Sequence, residues 1–439
     1  MTARVEKDLG AGAKLFVEPS STLPLVSIVC AFRAGAVHDP AGKDGLSRVV
    51  ARMLRRGCNG LDAMGTERAI DRLGAELGAD VAASSIAFAG QVLARNAEAF
   101  VDLIAKLLST PTFPQDELDR LLRETRAELL ESLDNDRGLA DRFFRRKLFE
   151  GHGYGRTSRG TAASIASIDR DAVVAHHACT FVRENLVVAM AGDVDEQTAE
   201  RYAKTIWSAL PSVARSPDVL ADPKPLAGRH LVFVDKPERT QTQILIGALG
   251  TSAHDDDHVA LTIANAIFGG TFTSRLTREV RGKRGWSYGA SSRLGVDRKR
   301  HSFVMWTFPA ATDAAPCIAL ELDLLARLVE NGVTDREVKF IEKYISRSWA
   351  FEVDTAQKRV HQSLDVELLD LPRDYYASYV ERVGKVTSQD ANAALRARVD
   401  PKNLLVTVVG TAQTTLDGVQ KKIADLASTE IVAFDVESK

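Results

Sequence analysis

In this chain of 439 residues the side chains most able to do chemistry fall in a few short segments. His254-Asp-Asp-Asp-His258 places two imidazoles at i and i+4 with three carboxylates between them, superficially a metal cluster. Aspartates are also what a helix start favours, through capping and the macrodipole, and the segment is read as such a start. Gly269-Gly270 lacks the GxxxxGK(S/T) or GxGxxG surroundings of a phosphate loop, so a turn into a helix is expected. His176 and His177 are adjacent, point to different sides of a helix, and read as structural or exposed. Arg48, Arg52, Arg55 and Arg56 make a basic run, either a solvated face or a face that meets acidic groups on a partner. Arg281 and Tyr288 offer a guanidinium and a phenol O–H, donors able to stabilise charge developing on a carbonyl oxygen. Taken alone they read as a solvated helix-end cation and a strand aromatic. Cys30, Cys58, Cys179 and Cys317 show no CxxC or zinc-ribbon spacing and read as small core residues in a reducing compartment.

The elements that must position these groups occur twice. Lys14-Leu-Phe-Val17 with Glu18, then Val26 to Phe32, have the pattern of two strands. His230-Leu-Val-Phe-Val-Asp235 and Gln243 to Leu249 repeat them at an offset of 217, Phe16 falling on Phe233. Each copy enters a helical stretch, Gly45 to Arg56 and His258 to Phe268. Glu184-Asn-Leu-Val-Val-Ala-Met-Ala-Gly192 matches Lys402-Asn-Leu-Leu-Val-Thr-Val-Val-Gly410 at an offset of 218. A period this long is a duplicated domain rather than a solenoid unit. Between the copies, Leu210 to Gly228 is rich in Pro, Ser and Asp with no apolar period, as a linker is. Leu118, Leu121, Leu122, Thr125, Leu129 and Leu133 recur every three or four residues, with Pro114, Asp116 and Glu117 at the start of that helix. The expected fold is α+β: two homologous domains, 1–212 and 230–439, each a mostly antiparallel sheet covered by helices, joined by a linker at 213–229.

Composition narrows the function. With 57 Lys plus Arg against 59 Asp plus Glu the net charge is −2, so no broad positive field exists to gather nucleic acid or an anionic membrane. The longest apolar runs fall well below the roughly 20 residues that span a bilayer. The first residues carry charges where a signal peptide needs an apolar stretch, so a cytoplasmic location is expected, or a periplasmic one if the chain is a processed form.

Gly45-Leu-Ser-Arg-Val-Val-Ala-Arg-Met-Leu-Arg-Arg-Gly57 resembles the helix G-L-x-H-x-x-E-H-M-L-x-x-G of the pitrilysin-type (M16, inverzincin) zinc peptidases. The 60–94 segment, His152-Gly-Tyr-Gly-Arg-Thr-Ser-Arg-Gly160 and Asn185 to Gly192 resemble further landmarks of that family's N-terminal half. Phe268-Gly-Gly-Thr-Phe-Thr-Ser-Arg-Leu276 and Glu279-Val-Arg-Gly-Lys-Arg-Gly-Trp-Ser-Tyr-Gly289 resemble F-G-G-x-x-x-S-R-L and E-V-R-x-x-x-G-x-x-Y of its C-terminal half. The resemblance covers nearly the whole chain and implies the LuxS/MPP-like metallohydrolase fold.

On that register the first ligand histidine falls on Arg48, the catalytic glutamate on Ala51 and the second histidine on Arg52. Guanidinium is a permanent cation without an available lone pair, so these positions repel Zn²⁺. Glu128, 76 residues beyond Arg52, stands about where the third ligand is expected, but one carboxylate beside two arginines cannot hold the ion, and it reads as an exposed helix glutamate or a partner of Arg52. Arg281 and Tyr288 keep the spacing of a pair that, in the family, hydrogen-bonds substrate carbonyls beside the scissile bond. The resemblance therefore implies the metal-free subunit of a heterodimeric M16B peptidase: no metal in this chain, inactive alone, with zinc on a homologous partner carrying His-x-x-Glu-His. Peptide substrates would lie as an added strand along a sheet edge. The alternatives are a structural core-type subunit and a non-proteolytic peptide-binding module.

Overall fold

The computed structural model describes residues 4–213 and 220–437. Within the expected linker, residues 214–219 lie outside the described residues. The chain forms two compact units.

The first unit is built on a six-stranded sheet. Its strands are β1 (Val5–Gly10), β2 (Ala13–Pro19), β3 (Leu25–Phe32), β6 (Glu76–Val81), β7 (Ile86–Leu93) and β8 (Leu186–Gly192), with a separate short ribbon of β4 (Gly57–Cys58) and β5 (Leu61–Asp62) between β3 and β6 in the chain. The order is β1-β2-β8-β3-β7-β6. Only the β2/β8 pair is parallel. β3 and β8 are near-continuous apolar runs, and both are buried along almost their whole length, as strands covered on two faces must be. One face packs on the helices Leu46–Met53, Ala97–Ser109, Arg170–Thr180 and Glu196–Ala209 through residues such as Leu15, Ile28, Phe32, Phe100, Phe181 and Met190.

The second unit repeats the plan. Its strands are β9 (Arg229–Asp235), β10 (Gln243–Leu249), β11 (Ala290–Leu294), β12 (Ser302–Thr307), β13 (Leu405–Gly410) and β14 (Leu426–Ala433), in the order β11-β12-β10-β13-β9-β14. Strands matched by the sequence repeat take matching places, β2 with β9, β3 with β10 and β8 with β13. Its core is formed by Leu231, Phe233, Ile246, Phe268, Met305, Leu325 and their neighbours. The antiparallel-rich character expected from the sequence holds in both sheets, although β9 pairs in parallel on both of its sides.

Two features lie outside what the sequence suggested. The outer place beside β2 is taken by the N-terminal β1, running antiparallel, whereas the equivalent place beside β9 is taken by the C-terminal β14, running parallel. The units also do not follow the two halves of the chain: 130–155 counts with the second unit and 350–371 with the first. The helix Ala356–Leu368 therefore covers the other face of the first sheet, where Val360, Leu364 and Leu368 pack on Phe16, Val29, Val187 and Ala189. The helix Asp136–Leu148 takes the equivalent place in the second unit. These two helices sit at corresponding points of the repeat. Burying a leucine of this kind stabilises by about 1.5–3 kcal/mol, so such a cover contributes materially to each unit.

Candidate functional site

The helix Leu46–Met53 begins at Gly45, whose φ of 94° favours glycine and whose added Cβ would press on the Gly160 backbone at 3.0 Å. Asp39 caps it. Oδ2 accepts from the Gly45 N–H at 2.8 Å, and Oδ1 accepts from the Ser47 N–H at 2.8 Å and the Ser47 hydroxyl at 2.6 Å. His176 Nε2 lies 2.9 Å from the Ser47 hydroxyl, so Ser, His and Asp meet here, but the arrangement is not a nucleophilic triad. The serine hydroxyl donates its hydrogen bond to the aspartate directly, and all three side chains are buried. Burial lowers the His176 pKa to about 4, which keeps the ring neutral.

From this start the helix carries Arg48 and Arg52 toward the helix Gln115–Glu131, where both converge on Glu128. Arg52 makes a two-pronged contact, Nη1 to Oε2 at 3.0 Å and Nη2 to Oε1 at 2.8 Å, and Arg48 Nη2 reaches Oε2 at 3.3 Å. Arg56 extends the ladder to Glu117 at 3.0 Å and Glu124 at 2.5 Å, and Arg55 pairs with Glu67. The basic run thus meets acidic groups, and they belong to this chain. Ala51 is buried in the same helix. The structure therefore brings Arg48, Arg52 and Glu128 together as an ion cluster. A zinc ion does not fit it: two permanent cations already occupy the lone pairs of its one carboxylate. Among the described residues no group of three or more His, Cys, Asp or Glu side chains is placed to hold a metal ion.

In the second unit, Arg281 and Tyr288 come together by a different local route. The segment Ala266 to Gly289 contains two π-helical turns, Ala266–Gly270 and Arg278–Lys283, on either side of a short turn capped by Ser274. Such turns are uncommon and concentrate at functional sites. Gly269 lies against Ser292 of β11, where an added Cβ would sit 2.4 Å from the hydroxyl oxygen, so the F-G-G motif is a close approach of backbone to sheet. The pair Gly269-Gly270 closes a helical segment and does not open one. The Thr277 hydroxyl donates to the Ala290 carbonyl at 2.7 Å and fixes the turn to the start of β11. Beside the tyrosine, Phe308 N–H donates to the Ser287 hydroxyl at 2.9 Å.

On this frame the Arg281 guanidinium lies 4.2 Å from the centre of the Tyr288 ring and 4.8 Å from that of Phe272. Both rings are exposed, Tyr288 at 76% and Phe272 at 73%. Stacking orients a guanidinium through its flat face and leaves its N–H edge free to donate. No hydrogen bond or ion pair engages the Arg281 side chain among the described residues. Phe272 was not singled out from the sequence. An aromatic between two threonines in a polar stretch was the available signal.

The remaining sequence candidates resolve as structure. His258 accepts or donates at 2.8 Å to the Thr251 hydroxyl and at 3.0 Å to the Tyr375 hydroxyl, and burial lowers its pKa to about 4. Asp257 is held by Arg398 at 2.7 and 2.9 Å. His177 is bonded to the Leu108 carbonyl. Cys30, Cys58 and Cys317 are buried, whereas Cys179 is exposed, contrary to the expectation of a core residue. No described helix is long and apolar enough to cross a membrane.

Residues 16–162 match the insulinase (peptidase family M16) domain, and residues 167–343 match the peptidase M16 inactive domain. The chain is similar to the protein named "Non-peptidase homolog YmxG" of Helicobacter pylori, 21% identical over 91% of this chain and 92% of that protein. It is also similar to an uncharacterized zinc protease of Mycobacterium leprae, 24% identical over 75% of each. Among solved structures, the peptidase M16 inactive domain from Pseudomonas fluorescens superposes with a TM-score of 0.86 at 25% identity, covering 93% of this chain and 98% of that one. A Helicobacter pylori protease superposes at 0.81 with 14% identity, covering 93% and 100%. With an M16-like fold and matches to two M16 domains in tandem, this chain belongs to peptidase family M16.

Proposed function

We propose that this chain is the metal-free subunit of a heterodimeric M16-type zinc peptidase, to which it contributes Arg281 and Tyr288 as donors to substrate carbonyl oxygens. The observation that carries the reading is the contrast between its arginines. Arg48 and Arg52 are both engaged by Glu128, whereas Arg281 is stacked on an exposed tyrosine with its donor edge unengaged.

In this reading the partner subunit carries His-x-x-Glu-His and supplies the zinc-activated water. The residues of this chain bind and orient. A peptide carbonyl accepts from the Arg281 N–H groups and the Tyr288 hydroxyl, and these donors act hardest when charge builds on that oxygen. Tyr288 stands just before β11, an edge strand with one side unpaired, so a peptide added along that edge brings its backbone to the pair. The test is co-expression with an M16 homologue bearing His-x-x-Glu-His. Specific co-purification and peptide cleavage by the mixture alone support the reading, and chelator-sensitive cleavage by the isolated chain contradicts it.

The relative named a non-peptidase homologue favours a second reading, a peptide-binding module that cuts nothing. Both readings have the chain bind peptide; this one is told apart by predicting no cleavage with any M16 partner.

A further inference from the structure

Next to Arg281 and Tyr288 the second unit has a cleft of about 180 Å³ whose charge is out of balance. Its floor is apolar, from Ile267 and Ile341, and Phe340, 56% exposed, forms one wall. Three arginines line it, Arg275, Arg278 and Arg336, against one carboxylate, Glu337. That carboxylate is fully committed. Arg275 holds it at 2.8 and 2.7 Å, the Thr334 hydroxyl and N–H at the helix start also donate to it, and its pKa falls to about 2. Arg278 and Arg336 have no hydrogen-bond or ion-pair partner among the described residues. Two unneutralised guanidiniums therefore face a half-apolar cleft.

The cleft adjoins the carbonyl-binding pair through the chain itself. Thr271 and Thr273, both in its lining, flank the Phe272 that stacks on Arg281, and Arg278 precedes Arg281 by three residues in one helical turn. We propose that this cleft is a subsite for a carboxylate of the bound peptide, either an acidic side chain or the C-terminus, paired with Arg278 and Arg336 while its methylenes rest on Phe340. The inference rests on the reading that Arg281 and Tyr288 hold a peptide. Arginine suits the task because its planar fork matches a carboxylate. A neutral side chain of the same shape leaves both cations without a partner.

The test is fluorescence anisotropy of the full chain with fluorescein-labelled ten-residue peptides, neutral but for one glutamate moved along the sequence. Each is paired with its glutamine analogue, and free-acid and amide C-termini are compared. In at least one register the glutamate peptide, or the free-acid peptide if the C-terminus is the source, is expected to bind about tenfold tighter than its neutral analogue, a preference that fades with salt. Arg278→Ala with Arg336→Ala is expected to abolish the preference while leaving the neutral peptide within about twofold. Arg281→Ala is expected to weaken acidic and neutral peptides alike. Equal binding of charged and neutral peptides in every register, or a preference that survives the double variant, overturns the subsite and leaves the Arg281–Tyr288 reading standing. Failure of every peptide to bind overturns both.

Discussion

The two units share a plan of strands and helices but have spent their arginines differently. In the first, Arg48 and Arg52 close on Glu128 across two helices, so both guanidiniums are engaged by a carboxylate of the same chain. In the second, Arg281 is held by ring faces, which fix its position without consuming its donors. A guanidinium paired with a carboxylate is a strut. The same group stacked on aromatics keeps its hydrogen-bonding capacity for something that arrives from solution. The lesson is that in a duplicated chain a cation must be judged by its neighbours, since both segments look equally basic in the sequence.

The largest expected effect converts the strut into a binding site. Arg48→His with Arg52→His leaves two imidazoles aimed at Glu128, the donor set a zinc ion requires. Micromolar zinc affinity, about 8 kcal/mol where the parent has none measurable, is expected by titration with a chromophoric chelator. Glu128→Gln in that background should weaken it. No gain of affinity would mean that Glu128 does not stand in a ligand position. The buried Ala51 argues against adding a glutamate there in the first trial.

A second effect separates the cores. Glu321 of the second unit is fully buried, with Oε2 accepting from Thr307 at 3.3 Å and Oε1 without a partner among the described residues. Burial pushes its pKa from 4.5 up to about 8. The folded chain then holds a proton that the unfolded chain releases above about 4.5, so stability falls as pH rises from there through about 8. At the repeat offset of 217 the first unit has Ile104, also buried, which contributes no such slope. Glu321→Gln should therefore gain on wild type between about pH 5 and pH 8, by on the order of 1 kcal/mol or more in urea denaturation. A constant difference across that range would show that the carboxyl ionises normally.

The smallest effect is on the strut itself. Glu128→Gln in the otherwise unchanged chain removes a partly exposed ion cluster, and a loss of about 1 kcal/mol or less is expected by denaturant titration.

Much of the plan was legible in the sequence because it rests on local apolar pattern. Strands β2, β3, β8, β9, β10 and β13 fall on short apolar runs, and the helix Gln115–Glu131 falls where apolar residues recur every three or four. The exchange of Asp136–Leu148 and Ala356–Leu368 was not, since an amphipathic helix declares that it needs a sheet face but not which one. β14 was missed because an edge strand, here mostly exposed, lacks the apolar density that marks a central one. At the sites, the positions of Arg48, Arg52, Glu128, Arg281 and Tyr288 came from motif register. The pairing of Arg52 with Glu128 was among the readings offered, whereas the partners of Arg56 were not, because Glu117 and Glu124 reach it from some 60 residues away. Phe272 and the two π-helical turns likewise emerge only once the segment is folded against β11.

The most direct test of the central claim is steady-state kinetics on a quenched fluorescent peptide, with this chain reconstituted with an M16 partner bearing His-x-x-Glu-His. Tyr288→Phe removes one hydroxyl and keeps the ring that carries Arg281. It is expected to lower kcat by roughly 10² to 10³ more than it raises KM, with zinc content and partner association unchanged. Arg281→Ala is expected to do at least as much, while Arg48→Ala and the exposed control Tyr344→Phe leave kcat within about twofold. Full activity in a normally assembled complex lacking both the Arg281 and the Tyr288 donors would contradict the account and leave this subunit no part in carbonyl recognition.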